Sequence, residues 1–294
     1  MHRSGFVNIL GKPNVGKSTL ANLLVGEKLS IITRKAQTTR HRIFGLINQE
    51  DYQIIVSDLP GILQPHYKLQ SRMMEFIKSS LEDADIFIYV AEIKDKPESQ
   101  PKEYEIIKSH RIPTLLLLNK IDTVNENIAK EQLELWQQDF PEATTLCLSA
   151  REAKYRQTLL DFMISNIPES PPYFPKDEVS DRPMRFFVTE IIREKIFLNY
   201  HEEIPYATEV VVEAYQDSPE ITRISAIIYV ERDSQKPILI GKNGEMLKKV
   251  GTQARTDIEA FLGKKVFLQT FVKVSKDWRE SDFHLKNFGY YAGD

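Results

Sequence analysis

The chain has 294 residues, 39 basic against 42 acidic side chains, a formal net charge of -3 and 41% hydrophobic residues. That length predicts two domains, each able to bury a core, and the near-balanced charge means that any nucleic-acid surface must be local. A single cysteine, Cys147, in an apolar strand-like run, excludes an intrachain disulfide and fits a reducing, cytoplasmic compartment. With a strand predicted almost at the N-terminus no signal peptide is expected, and no apolar run approaches the about 20 residues of a membrane span.

In chain order, residues 6–10 predict a buried strand and residues 18–24 the first turns of a helix. Between them stands Gly11-Lys12-Pro13-Asn14-Val15-Gly16-Lys17-Ser18, followed by Thr19, a phosphate-binding loop in its strand–loop–helix setting. Its glycines let backbone amides close around phosphate oxygens, and the helix N-terminus adds positive partial charge. Lys17 is placed to reach the β- and γ-phosphates, and Ser18 to hold Mg²⁺ through its hydroxyl.

Residues 33–42 are polar and basic without a clear period, which by itself reads as a solvated loop. Beside a phosphate loop, a threonine here can close on Mg²⁺ when the γ-phosphate is present. Thr38 and Thr39 are the candidates, and Thr39, directly before an arginine, is favoured. Strands at 42–48 and 52–57, joined by Gln49-Glu50-Asp51, predict an antiparallel edge hairpin. Asp58-Leu59-Pro60-Gly61 follows: Asp58 can enter the Mg²⁺ shell through water, and the Gly61 amide can approach the γ-phosphate. The next residue, Ile62, cannot orient water by hydrogen bonding, so intrinsic turnover is expected to be slow.

Further strands are expected at 86–91, 114–118 and 145–148, with helices near 69–81, 104–109, 129–139 and 157–166. This is a doubly wound sheet, whose sites lie beyond the carboxyl ends of its strands. Asn119-Lys120-Ile121-Asp122 sits at such an end. The Asp122 carboxylate can accept two hydrogen bonds from the guanine N1–H and amine. Adenine lacks that donor pair and would leave the carboxylate unpaired. Asn119 and Lys120 brace the base and phosphate loop, and Ser149-Ala150 offers a backbone amide to the guanine O6.

Four prolines at 168–175 end the strand–helix alternation and predict an extended, semi-rigid connector. The expected division is a nucleotide domain at 1–167, a linker at 168–183 and a second domain at 184–294. Met184, Phe187, Val188, Ile191, Ile192 and Lys195 mark one face of a helix, with the lysine stem free to snorkel at its end. Strands at 209–215 and 224–231, a helix at 245–262 and a strand at 265–274 follow. Gly241-Lys242-Asn243-Gly244 lies before that helix, preceded by Ile240, with Lys248 one turn beyond. This is a KH-type arrangement, in which a glycine loop clamps a sugar–phosphate track. Residues 236–279 hold ten basic and four acidic side chains, a local positive excess in an acidic chain.

Together the motifs GKPNVGKS, QTTRH, DLPG, NKID and SAR, then IIREK, ILIGKNG, KDW and FGY, resemble the Era family of bacterial ribosome-associated GTPases over essentially the whole chain. The resemblance implies a Ras-like P-loop GTPase domain followed by an α+β type II KH domain. It implies GTP and GDP as ligands with Mg²⁺, and 16S rRNA near its 3′ end as partner during small-subunit maturation. It further implies a monomer, without a transmembrane segment, in the cytoplasm or peripherally at the inner face of the cell membrane. Asn14 matches the asparagine with which related GTPases bind K⁺ near the transferred phosphate, and joins Lys17, Thr39 and Gly61 as a catalytic candidate. The family also lacks a catalytic glutamine, as Ile62 does here, while Leu59 replaces its more usual threonine. Two other readings stay open: a GTPase whose second domain serves a protein or membrane partner, and an ATP-dependent kinase, which Asn119 to Asp122 disfavour.

Overall fold

A computed structural model describes residues 1–33 and 35–291. The chain divides into two compact units, Met1–Pro65 with Met73–Asp181, and His66–Arg72 with the chain from Arg182 onward. No helix among the described residues is long and apolar enough to cross a membrane.

In the first unit, β1 (Arg3–Leu10), α1 (Lys17–Val25), β2 (Ile43–Asn48), β3 (Tyr52–Asp58) and α2 (Lys68–Glu82, whose first turn groups with the second unit) come first. Then follow β4 (Ile86–Glu92), α3 (Lys102–Ser109), β5 (Thr114–Asn119), α4 (Glu126–Asp139), β6 (Thr144–Cys147) and α5 (Arg156–Asn166). The sheet order is β2-β3-β1-β4-β5-β6, parallel throughout except for the β2–β3 hairpin. Period-two alternation decides the layers. Ile86, Ile88, Val90, Leu115 and Leu117 enter one core with α1 and α5, while Phe87, Tyr89, Ala91, Leu116 and Leu118 enter the other with α2, α3 and α4. Strands covered on both faces need continuous apolar sequence, and Leu115 to Leu118 supplies it.

The segment at 168–181, expected as a linker, is a strap on the first unit. Ser4 N donates to Pro168 O at 3.1 Å and Leu46 N to Val179 O at 3.0 Å. Fully buried Gln53 accepts from the amides of Tyr173 and Phe174 at 2.7 and 2.9 Å and donates to Phe174 O at 2.8 Å. Ser180 and Asp181 then take the carbonyl and amide of Phe44. The prolines do fix an extended path, but an edge strand with unsatisfied backbone groups attracts it.

The second unit contains α6 (Met184–Asn199), α7 (Ile204–Ala207), β7 (Thr208–Gln216), β8 (Ile221–Val230), α8 (Gln235–Ile240), α9 (Glu245–Leu262), β9 (Lys265–Val274) and α10 (Asp282–Asn287). Its sheet runs β7-β8-β9, the first pair antiparallel and the second parallel. Helices α6 and α9 cover one face through Val188, Ile192, Ile196, Val250, Ala254 and Ile258. Two expectations for α6 are corrected. Met184 is exposed, and Lys195 is buried, paired with Glu194 and Asp257 instead of snorkelling. Arg193 and Glu190 form a second buried ion pair on the same helix.

Candidate nucleotide and nucleic-acid sites

The first site forms where β1, β3, β5 and β6 end. The phosphate loop turns between β1 and α1, and Gly16 carries φ +104° at its close. A side chain there would also stand 2.2 Å from Asn119 Nδ2, so only glycine fits. Asn14 takes a left-handed φ of +64° and is exposed at the loop's tip. Lys17 is buried, and its ammonium donates to Gly11 O at 3.2 Å and Lys12 O at 2.9 Å. Burial lowers its pKa from 10.5 to about 8, with Asp58 pulling the other way. A buried cation held by loop carbonyls is poised to exchange them for phosphate oxygens.

Ser18 Oγ and Thr39 Oγ1 lie 2.9 Å apart, bringing two of the expected Mg²⁺ positions together. Asp58 is the third. Both of its oxygens are buried without a hydrogen bond, and burial raises its pKa, offset in part by the nearby Ser30, Ser18 and Thr39 hydroxyls and Lys17. An orphaned buried carboxylate beside two hydroxyls fits a hard divalent cation, which favours oxygen donors. Thr38 stays half-buried, outside this cluster's closest pair.

The segment around Thr39 is no solvated loop: Thr39, Arg40, His41 and Arg42 are all buried. The Arg42 guanidinium holds Asp83 bidentately at 2.6 and 2.9 Å, and its Nη2 donates to Asn8 Oδ1 at 3.1 Å and Ser57 Oγ at 3.0 Å. Arg42 thus anchors the threonine segment to the ends of β1 and β3. Sequence reading missed this role because Asp83 is 41 residues away along the chain.

Gly61 abuts Pro13, and Ile62 N donates to Gly11 O at 3.1 Å, so the Asp58-to-Ile62 turn lies directly against the phosphate loop. Leu59 and Ile62 point into the apolar core and Pro60 is buried with them. That burial explains why an apolar residue is tolerated at 59 and why position 62 has no access to a reacting water. Val15 is buried beneath the loop, while Lys12, Pro13 and Thr19 are half-buried.

Asn119 ties the base side to the phosphate side. Its Nδ2 donates to Val15 O at 2.7 Å, and its Oδ1 accepts from Ala150 N at 2.9 Å. The Ala150 amide, expected to face guanine O6, is therefore taken up as part of this brace, and Ser149 is buried beside it. Lys120 adopts φ +66° and pairs with Glu92 at 2.6 Å. That turn leaves Asp122 exposed, as a base-reading carboxylate must be. Cys147 is half-buried, its thiol pushed up to about 11 by burial, so it stays protonated and inert.

The second site opens α9. Gly241 has φ +74°, and a side chain there would press within 2.7 Å of Met246. Asn243 and Gly244 also have positive φ, so the chain turns sharply at the head of an 18-residue helix, with the Gly241 amide donating to Pro237 O at 2.9 Å and the Gly244 amide to Gly241 O at 3.2 Å. Lys242, Lys248 and Lys249 are exposed around it, whereas Ile240 is half-buried against the core. From below, the buried Tyr200 hydroxyl holds the Leu239 carbonyl just before the loop.

Comparison with known proteins finds matches to both units. Residues 6–120 match the model of a family described as 50S ribosome-binding GTPase, and residues 203–279 match that of the KH domain. The chain is 43% identical to GTPase Era of Geotalea uraniireducens, covering 98% of each. It is 44% identical to a chloroplastic GTPase ERA-like protein of Oryza sativa, covering 98% of this chain and 70% of that one. A crystal structure of Era in complex with MgGDPNP and nucleotides 1506-1542 of 16S ribosomal RNA superposes with TM-score 0.93, at 36% identity, over 99% of this chain and all of that one.

Proposed function

The chain belongs to the Era family of GTPases, and on that premise we propose that it is a slow GTPase that binds small-subunit (16S) rRNA near its 3′ end and assists 30S maturation, coupling nucleotide state to RNA binding. The observation that carries the RNA part is the glycine loop at the head of α9, with positive φ at both glycines and exposed lysines on either side. A tight glycine turn without side-chain bulk and exposed lysines together suit the close approach of a phosphate track and leave single-stranded bases accessible.

In the nucleotide site, Lys17 would leave the carbonyls of Gly11 and Lys12 for the β- and γ-phosphates, keeping its charge where negative charge gathers during transfer. Ser18, Thr39 and Asp58 would hold Mg²⁺, which when bound neutralises charge on the phosphate oxygens. Thr39 can serve as a sensor: its hydroxyl lies 2.9 Å from Ser18 Oγ, on a segment that the Arg42–Asp83 pair anchors. Asp122 would select guanine, and Gly61 would offer its amide to the γ-phosphate. With Ile62 turned into the core, water must be oriented otherwise, which supports slow turnover. Asn14, exposed at the loop's tip, would bind K⁺ beside the phosphates.

One experiment addresses both halves. Gly244→Asp places a carboxylate in open space on the phosphate track. It should weaken binding of a 16S 3′-end RNA at least tenfold and flatten the salt dependence, while GTP hydrolysis in the same preparation is nearly unchanged. Hydrolysis should run faster in potassium than in sodium chloride. Undiminished RNA affinity in folded Gly244→Asp would remove the glycine loop from the function, and equal rates in the two salts would remove the K⁺ site.

A further inference from the structure

The face of the second unit's sheet opposite α6 and α9 is only partly covered. At one end the C-terminal segment seals it: Tyr229 packs on Phe288 at 5.3 Å, and the Tyr290 hydroxyl bonds Glu209. Toward the other end β9, an edge strand, presents alternate residues to solvent. Phe267 is 44% exposed and Phe271 50%. Exposed phenylalanines on a sheet face without a polar tip to satisfy are costly and mark a contact surface.

The surroundings specify the contact. The Arg223 guanidinium, exposed on the neighbouring strand and paired in register with Phe267, lies 5.6 Å over that ring. Lys265 and Lys273, exposed at the two ends of β9, flank the rings, and Glu213 at 4.0 Å from Lys273 is the acidic counterpart. Gln269 sits between the two phenylalanines on the same face, exposed, with both donor and acceptor atoms. Phe267 and Phe271 are four residues apart, about 13 Å along an extended strand. Two aromatic faces separated along a strand, a polar amide between them and cations beside them form a stacking platform for bases. A protein partner's apolar side chains would not call for the flanking positive charge.

We propose that this face is a second single-stranded RNA track, in which bases stack on Phe267 and Phe271 while Arg223, Lys265 and Lys273 accompany the backbone. It rests on the RNA-binding reading above but uses residues separate from the glycine loop. Base–aromatic stacking tolerates any sequence, so this track would hold RNA firmly without choosing it, leaving selectivity to the loop on α9.

The test uses the full chain and a mixed-sequence, 24-nucleotide single-stranded RNA. Phe271→Trp keeps a stacking ring and adds an exposed indole to a protein whose own Trp136 and Trp278 are fully buried. Its emission should quench on RNA addition, and the quench should persist when Gly244→Asp is added, at raised RNA concentration. Phe267→Ala with Phe271→Ala should weaken RNA binding about tenfold with the salt slope unchanged, because no phosphate contact is lost. Arg223→Gln should weaken binding and lower the slope. Melting curves matching the parent would show that each variant is folded. If the parent binds the RNA but the indole is not quenched and the double alanine variant binds equally, this face is no RNA track and the proposal fails alone. If the parent protein does not bind RNA, the functional reading itself falls. Binding of a protein competitor to the face without RNA quenching would likewise overturn the proposal.

Discussion

Single residues carry the chemistry, and two of them give sharp tests. Asp122 stands exposed at the base end, held there by the Lys120 turn. Asp122→Asn turns a two-acceptor carboxylate into an amide that can donate to the extra carbonyl of xanthine. Nucleotide competition should therefore shift from GTP towards XTP by at least tenfold, and retained guanine preference would mean that Asp122 does not read the base. Lys17 gives a pH signature. Burial holds its pKa at about 8, so the ammonium is charged at pH 7 and mostly neutral at pH 9. Bound phosphates would restore the charge, so GTP binding should take up almost no proton through Lys17 at pH 7 and nearly one at pH 9. Calorimetry in buffers of different ionisation enthalpy measures the uptake. Lys17→Met should abolish its rise with pH.

At the scale of elements, α6 is the informative case. An amphipathic pattern places its apolar residues correctly, yet Glu190, Arg193, Glu194 and Lys195 are also buried. They are tolerated because their partners are within reach: Arg193 on Glu190 one turn earlier, and Lys195 on Glu194 and on Asp257 of α9. Removing one member strands its partner's charge in low dielectric, which costs far more than an exposed ion pair supplies. Arg193→Met should lower the stability of the second unit by about 3–5 kcal/mol. Arg193→Met with Glu190→Leu should recover most of that loss. Urea unfolding followed through Trp278 fluorescence in a Trp136→Phe background would show it. A loss below about 1 kcal/mol would mean that other groups or water hold the Glu190 charge.

For the molecule as a whole, the position of the cut between units matters. The strap at 168–181 completes the first unit through hydrogen bonds to β1, β2 and Gln53. A fragment ending at 181 should therefore be more stable than one ending at 167. With roughly 1 kcal/mol per net hydrogen bond, the difference should be at least about 3 kcal/mol in chemical denaturation. Equal stability would return the strap to the status of a plain linker.

The motif chemistry was legible without coordinates because each motif is a short run tied to the end of one strand. Glycine spacing and the sharp change from apolar to polar residues mark such a run locally. The alternation of strands and helices gave the first unit's fold for the same reason. The rest depended on groups remote in sequence. Arg42 is explained only by Asp83 and Asn8, Lys195 only by Asp257, the strap only by β2, and the Ala150 amide only by Asn119. A charged or proline-rich segment looks solvent-directed when its neighbours in sequence are all that is known. Whether it is buried depends on partners that only the folded chain brings within hydrogen-bonding distance, because the desolvation penalty is offset there and nowhere else.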